Sequence, residues 1–199
     1  MDTPGHSAQL KWNKRYQCAS ADARSLEPAQ ILSEYGYLLP DTGAALDLAC
    51  GLGGNALYMA RRQLRVDAWD LSDVAIGRLI QQAESENLAI TAQVRDVLQY
   101  PPSADTYDVI VVSRFLERTI IPSLIQSLKP AGLVFYQTFS KNKDTNAGPN
   151  NPAFLLDENE LLRLFSGLTI LVYHEEGQVG DCREGLRNEA ALVAQKRVV

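Results

Sequence analysis

The chain has 199 residues, enough for one domain with a substantial core and short for two catalytic domains. Hydrophobic residues at 46% and charged residues at 22% are ordinary for a globular protein, and no apolar run approaches the length that crosses a bilayer, so no membrane association is expected. A formal charge of −5 argues against nucleic acid and for a small-molecule substrate, and three widely spaced cysteines (Cys18, Cys50, Cys182) argue against a disulfide framework or a zinc site.

Met1 to Lys14 mixes Asp2, Pro4, His6 and Lys11 without the apolar stretch of a secretory signal, which makes a cytoplasmic address the expectation. Residues 1–40 read as a helical cap on a single domain with its core in 41–199. Pro28 to Tyr35 is expected to be a helix and Ala45 to Ala49 a strand. Asn55 to Arg62 follows as a helix ending on two cations. Val66 to Asp70 is a second strand, and Ser72 can cap a helix whose apolar face is Ile76, Leu79, Ile80 and Ala83.

Ile90, Ala92 and Val94 alternate with polar residues as a third strand. Tyr107 to Val112 is a nearly continuous β-branched run, as a central strand buried on both faces requires. A helix around Ile120 to Leu128, a turn at Lys129 to Gly132 and a fifth strand at Leu133 to Phe139 complete the alternation. Asp157 to Glu160 resembles a capping box before Leu161, Leu162, Leu164 and Phe165, with Gly167 as the stop. Leu168 to Tyr173 and Glu189 to Ala194 are two more strands with no helix between them, hence joined antiparallel. The expected fold is therefore α/β, Rossmann-like and doubly wound: a mainly parallel seven-stranded sheet with a C-terminal antiparallel strand pair.

Gly51, Gly53 and Gly54 lie between a strand and a helix, where a nucleotide can approach the backbone. Gly51-x-Gly53-x-x-Ala56 also satisfies the relaxed dinucleotide pattern, so the neighbours must discriminate. Asp47 stands inside the preceding strand, where a pyrophosphate has little use for negative charge but a cationic ammonium and sulfonium do. The plainer reading of Asp47, a solvent-facing strand residue, sits badly with Leu46 and Leu48 on either side. Asp70 ends the second strand 19 residues after Gly51, in position to accept from ribose hydroxyls. Asp96 can accept from an adenine amino group while Val97 offers its amide, although a strand-end Asp alone is more often a turn residue.

The segments ALDLACGLGGNALYMA, VDAWDLS, VRDV, YDVIVVSRFL and LKPAGLVFYQTF, in that order, resemble the successive motifs of class I S-adenosylmethionine-dependent methyltransferases over nearly the whole chain. Trp12-x-x-Arg15-Tyr16 and Asn151 to Leu156 further resemble the branch related to the tellurite-resistance and thiopurine methyltransferases. The resemblance implies S-adenosyl-L-methionine as cofactor, held by Asp47, Gly51, Gly53, Asp70, Asp96 and Val97, with Cys50 and Leu71 beside them. Ser113 would lie by the methionine moiety, with Arg15 and Tyr16 closing over its carboxylate. Trp12 and Tyr16 at i, i+4 are equally a helix packing face. Ser113 to Leu116 replaces the Pro-Pro-aromatic motif of amino-directed nucleic-acid enzymes, Pro101-Pro102 being a turn, and Cys50 within the glycine turn is a poor carbon-methylating nucleophile.

Methyl transfer needs alignment more than a base, so a cation that holds a soft anionic acceptor, a chalcogen oxyanion or thiol, is the useful group. Arg114 is the candidate, set against a surface ion pair with Glu117. Residues 140–152 are a lid or a loop without function, and His174 a base or a structural residue. An NAD-dependent oxidoreductase shares the glycine turn and Asp70 but explains neither Asp47 nor the antiparallel tail. A non-catalytic S-adenosylmethionine-binding sensor or partner domain is the other alternative.

Overall fold

The structure, a computed structural model, describes residues 4–18 and 26–198. Seven strands form one sheet: β1 (Ala44–Leu48), β2 (Arg65–Asp70), β3 (Ile90–Val94), β4 (Tyr107–Ser113), β5 (Leu128–Phe139), β6 (Thr169–His174) and β7 (Glu189–Gln195). Their order is β3-β2-β1-β4-β5-β7-β6. The first five pair in parallel, and β7 inserts antiparallel between β5 and β6. The β-branched run of β4 is the middle strand, and Val109 to Val112 are wholly buried.

Successive strand residues point to opposite faces, which gives two apolar layers. Ala45, Val66, Ala68, Val109, Val111 and Phe135 pack against α2 (Gln30–Glu34), α3 (Gly54–Ala60) and α4 (Asp73–Ser85). Leu48, Ile110, Val112 and Tyr136 pack against α5 (Ile121–Ser127) and α6 (Glu160–Leu164) through Leu124, Leu161 and Phe165. The N-terminal helix α1 (Pro4–Cys18) lies against α4.

Four local expectations change. Ile80 is 39% exposed, because the buried stripe of α4 is centred on Ala75, Ile76, Leu79 and Ala83. Lys129 to Gly132 is a bulge inside β5 rather than a turn before it: Tyr107 pairs with Leu128 but Val109 with Leu133. Ala131 takes a φ of 63° there, and Lys196 bonds both Ala131 and Gly132. Only half of the capping box forms. The Asp157 amide donates to Glu160 at 2.7 Å, while the Asp157 carboxylate pairs with Lys141 and Asn159 becomes the cap residue. Gly167 keeps negative φ, and the helix ends at Phe165 instead.

Candidate functional site

The turn after β1 has positive φ at every second residue: Ala49 (55°), Gly51 (54°) and Gly53 (83°). Three bonds close it. Cys50 N–H donates to Trp69 O at 3.0 Å, Gly53 N–H to Cys50 O at 2.9 Å, and Gly51 N–H to Asp70 Oδ2 at 2.9 Å. A side chain at Gly53 would be strained and would displace Leu79, whose Cδ1 would lie 2.3 Å from an added Cβ. Asp70 also receives the Ser72 amide on Oδ1 at 2.8 Å, and Ser72 Oγ caps α4 through Ala75 N–H. Burial raises the Asp70 carboxyl against the opposing pull of the Ser72, Gly51 and Leu71 amides. Three amides leave the carboxylate acceptor capacity for a hydroxyl donor.

Asp47 is fully buried on the α3 face of β1. Its Oδ2 accepts the Ala56 amide at 3.0 Å, in the first turn of α3, and its Oδ1 accepts from Asn55 at 3.2 Å. Burial pushes its carboxyl up to about 7, against the pull of the Asn55 and Ala56 N–H groups. The charge below the turn is therefore sensitive to whatever lies above it.

Helix α1 reaches over this turn. Asn13 Oδ1 accepts from Ser72 Oγ at 2.6 Å, and the Tyr16 hydroxyl lies 2.8 Å from where a Cβ on Gly51 would be. Burial raises the Tyr16 phenol, with Asp70 and Cys50 adding to the shift. Trp12 and Tyr16 stack at 6.0 Å, and Arg15 lies over the Trp12 ring. Cys50 is a buried thiol pushed well up by desolvation, unsuited to nucleophilic attack. Leu71 is partly exposed beside Asp70. Just beyond β3, Asp96 accepts from the Leu98 amide at 3.0 Å and from Gln99 Nε2 at 3.1 Å, the turn geometry, while Val97 is buried in the same apolar cluster as Trp69.

A cleft of about 810 Å³ opens at the carboxyl ends of β4 and β5 and includes Ser113, Arg114, Gln137, Phe139 and Glu189. Gln137 and Phe139 supply the face of β5 that reaches it, whereas Tyr136 turns to the core and donates to Phe115 O at 2.9 Å. Arg114 has a φ of 53°, and its side chain is 70% exposed. Its partner is not Glu117, which caps the turn at Thr119, but the buried Glu189, reached by Nε at 3.0 Å. The two terminal amino groups of Arg114 have no hydrogen-bond partner among the described residues. Ala147 brings the 140–152 segment to the edge of this cleft. His174 lies outside it, held between Tyr35 and Glu176 at 2.9 and 3.1 Å, in a separate recess.

Three residues of this arrangement escape a linear reading. Asn55 joins Asp47 to Ser113, its Nδ2 donating to Ser113 Oγ at 3.0 Å. Gln137 and Glu189 are bonded to each other across two strands that are far apart in sequence. The lone amide in the otherwise apolar stretch Gly54-Asn-Ala-Leu-Tyr-Met-Ala60 was the one available signal. Among the described residues, no group of three His, Cys, Asp or Glu side chains is placed to hold a metal, and no helix is long and apolar enough to cross a membrane.

A parallel sheet with an inserted antiparallel β7, and a buried acid under a glycine turn tied to a second acid, define the class I methyltransferase fold. The tellurite resistance protein TehB family matches residues 11–189, and the chain belongs to that family. A probable S-adenosyl-L-methionine-dependent methyltransferase TehB from Haemophilus influenzae is 28% identical over 170 residues, covering 82% of this chain. The match spans 56% of that relative, little more than half its length. The solved TehB from Haemophilus influenzae superposes with a TM-score of 0.68 at 22% identity, covering 95% of this chain and 67% of that one. A geranyl diphosphate C-methyltransferase from Streptomyces coelicolor A3(2), solved with S-adenosyl-L-homocysteine, also reaches 0.68 at 13% identity and covers 98% of both chains.

Proposed function

We propose that the protein transfers the methyl group of S-adenosyl-L-methionine to a small-molecule acceptor. The observation that carries this reading is the bond from Gly51 N–H to Asp70, with the buried Asp47 beneath the same turn. Asp70 and Leu71 would take the ribose, Asp96 and Val97 the adenine, and Gly51, Gly53, Cys50 and Ser113 the methionine side. Asp47, wholly buried beneath the turn, supplies negative charge to a cationic ligand from below rather than through a direct bond. Tyr16 and Arg15 would close the site from α1.

When bound, the cofactor supplies an electrophilic methyl carbon. An acceptor aligned with that carbon would form the new bond with its lone pair as the carbon–sulfur bond breaks, the sulfur keeping the bonding pair. Arg114 holds an anionic acceptor with its free amino groups, so no protein base is required. A soft anionic acceptor, a chalcogen oxyanion or a thiol already ionised to its thiolate, suits that cation and accords with the tellurite-resistance name carried by the family.

Calorimetry with S-adenosylmethionine, S-adenosylhomocysteine and NADH tests the cofactor. Tight NADH binding with no response to the other two would replace the reading with that of an oxidoreductase. Incubation with selenite, tellurite, thiols and small carboxylates, assayed for methylated product, tests the acceptor. Cofactor binding with no product across that panel would favour a sensor.

A further inference from the structure

The chain entering α2 runs from the glycine turn to the cleft at Arg114. At Gly54 it runs so close that a Cβ would lie 2.4 Å from the Glu27 carbonyl oxygen. Ala29 N–H then donates to Asn55 Oδ1 at 2.8 Å, and Ile31 N–H to Gln137 Oε1 at 2.9 Å. Gln137 in turn donates to Glu189, the partner of Arg114. Asn55 is 4% exposed, and its amide is committed to three structural elements: Asp47 in β1, Ser113 in β4 and Ala29 in this segment. A flip that exchanged its oxygen and nitrogen would mismatch all three bonds at once.

Resting on the cofactor reading above, we infer that Asn55 is a positioning residue for methyl transfer: it holds Asp47, Ser113 and the 29–31 segment in one arrangement, so that the cofactor turn and the wall of the acceptor cleft are set together. It acts on the cofactor through Asp47. The ionisable groups facing that carboxylate are Asp70 from the end of β2, the Cys50 thiol from the turn and the Tyr16 phenol from α1. All three are acids, so the Asn55 and Ala56 N–H groups are what favours the charged form. Without the Asn55 donor, Asp47 ionises at higher pH and attracts the cationic cofactor less strongly near neutrality.

The test uses the full chain with Asn55→Ser, and with Asn55→Asp, which keeps the size of the side chain and the acceptor for Ala29. Carboxyl-carbon NMR follows the titration of Asp47, and calorimetry measures S-adenosylmethionine affinity from about pH 5 to about pH 9. The Asp47 midpoint should move upward in both variants, further in Asn55→Asp. Affinity near neutral pH should fall about tenfold in Asn55→Ser, the scale of one charged hydrogen bond, with the deficit shrinking as the pH rises. An unmoved Asp47 midpoint, or an affinity loss of the same factor at every pH, overturns the inference. Absence of S-adenosylmethionine binding by the wild-type chain overturns the cofactor reading instead, while the NMR titration still judges the link between Asn55 and Asp47.

Discussion

The Gly51 amide donates to Asp70 Oδ2 across 2.9 Å, so one side chain fastens the apex of the glycine turn to the end of the neighbouring strand. The same carboxylate holds the Ser72 amide, whose hydroxyl caps α4. Asp70 thus organises the backbone of the turn and of the start of α4.

Replacing Asp70 by Ala leaves two buried amides without partners, at a cost of about 1–3 kcal/mol each. The melting temperature should fall by several degrees, and S-adenosylmethionine affinity should fall at least a hundredfold, about 3 kcal/mol. Asp70→Asn keeps one strong acceptor and should lie between the two. Thermal unfolding and calorimetry on the same samples check both effects; unchanged cofactor affinity in Asp70→Ala would falsify the cofactor assignment.

Gly53 is the tightest point of the turn, with a φ of 83° and Leu79 Cδ1 at 2.3 Å from an added Cβ. Gly53→Ala should cost about 2–3 kcal/mol from left-handed backbone strain and overpacking together. Only the second part involves Leu79. A cycle with Leu79→Ala should therefore give a double variant more stable than the sum of the single losses predicts, and strict additivity would mean that strain alone is responsible.

Asp47 makes stability and binding depend on pH in opposite ways. Its carboxyl is raised from the ordinary 3.8 to about 7, so its contribution to stability is complete below about pH 4 and is lost as the pH rises through 7. Without ligand, the fold should lose a few kcal/mol over that window, and Asp47→Asn should flatten the slope. A cationic cofactor favours the ionised form, so affinity should rise with pH over the same range and binding near neutrality should release part of a proton. Calorimetry in phosphate and in Tris at matched pH should give different heats for the wild-type chain and equal heats for Asp47→Asn.

How much of this the sequence disclosed depends on the range of each interaction. The middle position of β4 was legible because Tyr107 to Val112 carries its burial in its own composition. The antiparallel tail was legible because nothing between residues 173 and 189 could serve as a crossover helix. The acids at the ends of β1 and β2 were legible because the chain itself places them by the turn. What stayed hidden depends on partners distant in sequence. Glu117 was the obvious mate of Arg114 along the chain, but the fold supplies Glu189 from β7 and turns Glu117 to Thr119. Asn55 looks like an ordinary helix residue until Ser113 and Ala29 are brought to it. At Ala49 a left-handed backbone is carried by a residue that gives no sign of it.

On the proposed reading, variants at Arg114 and Glu189 should affect the acceptor more than the cofactor. Arg114 touches none of the bonds that close the glycine turn, and its side chain is 70% exposed at the cleft. Arg114→Ala should therefore leave S-adenosylmethionine affinity within about twofold, an effect below 1 kcal/mol, while raising the acceptor KM at least tenfold. Arg114→Lys keeps the charge but loses the planar pair of donors, and it should recover only part of that loss. Some stability should also go in Arg114→Ala, because Glu189 is left buried with Gln137 as its remaining partner. Glu189→Gln in the Arg114→Ala background removes the stranded charge and should restore the melting temperature without restoring acceptor use. Steady-state kinetics beside thermal unfolding distinguish these effects. Recovery of the acceptor KM in that double variant would show that Arg114 serves the fold and not the substrate.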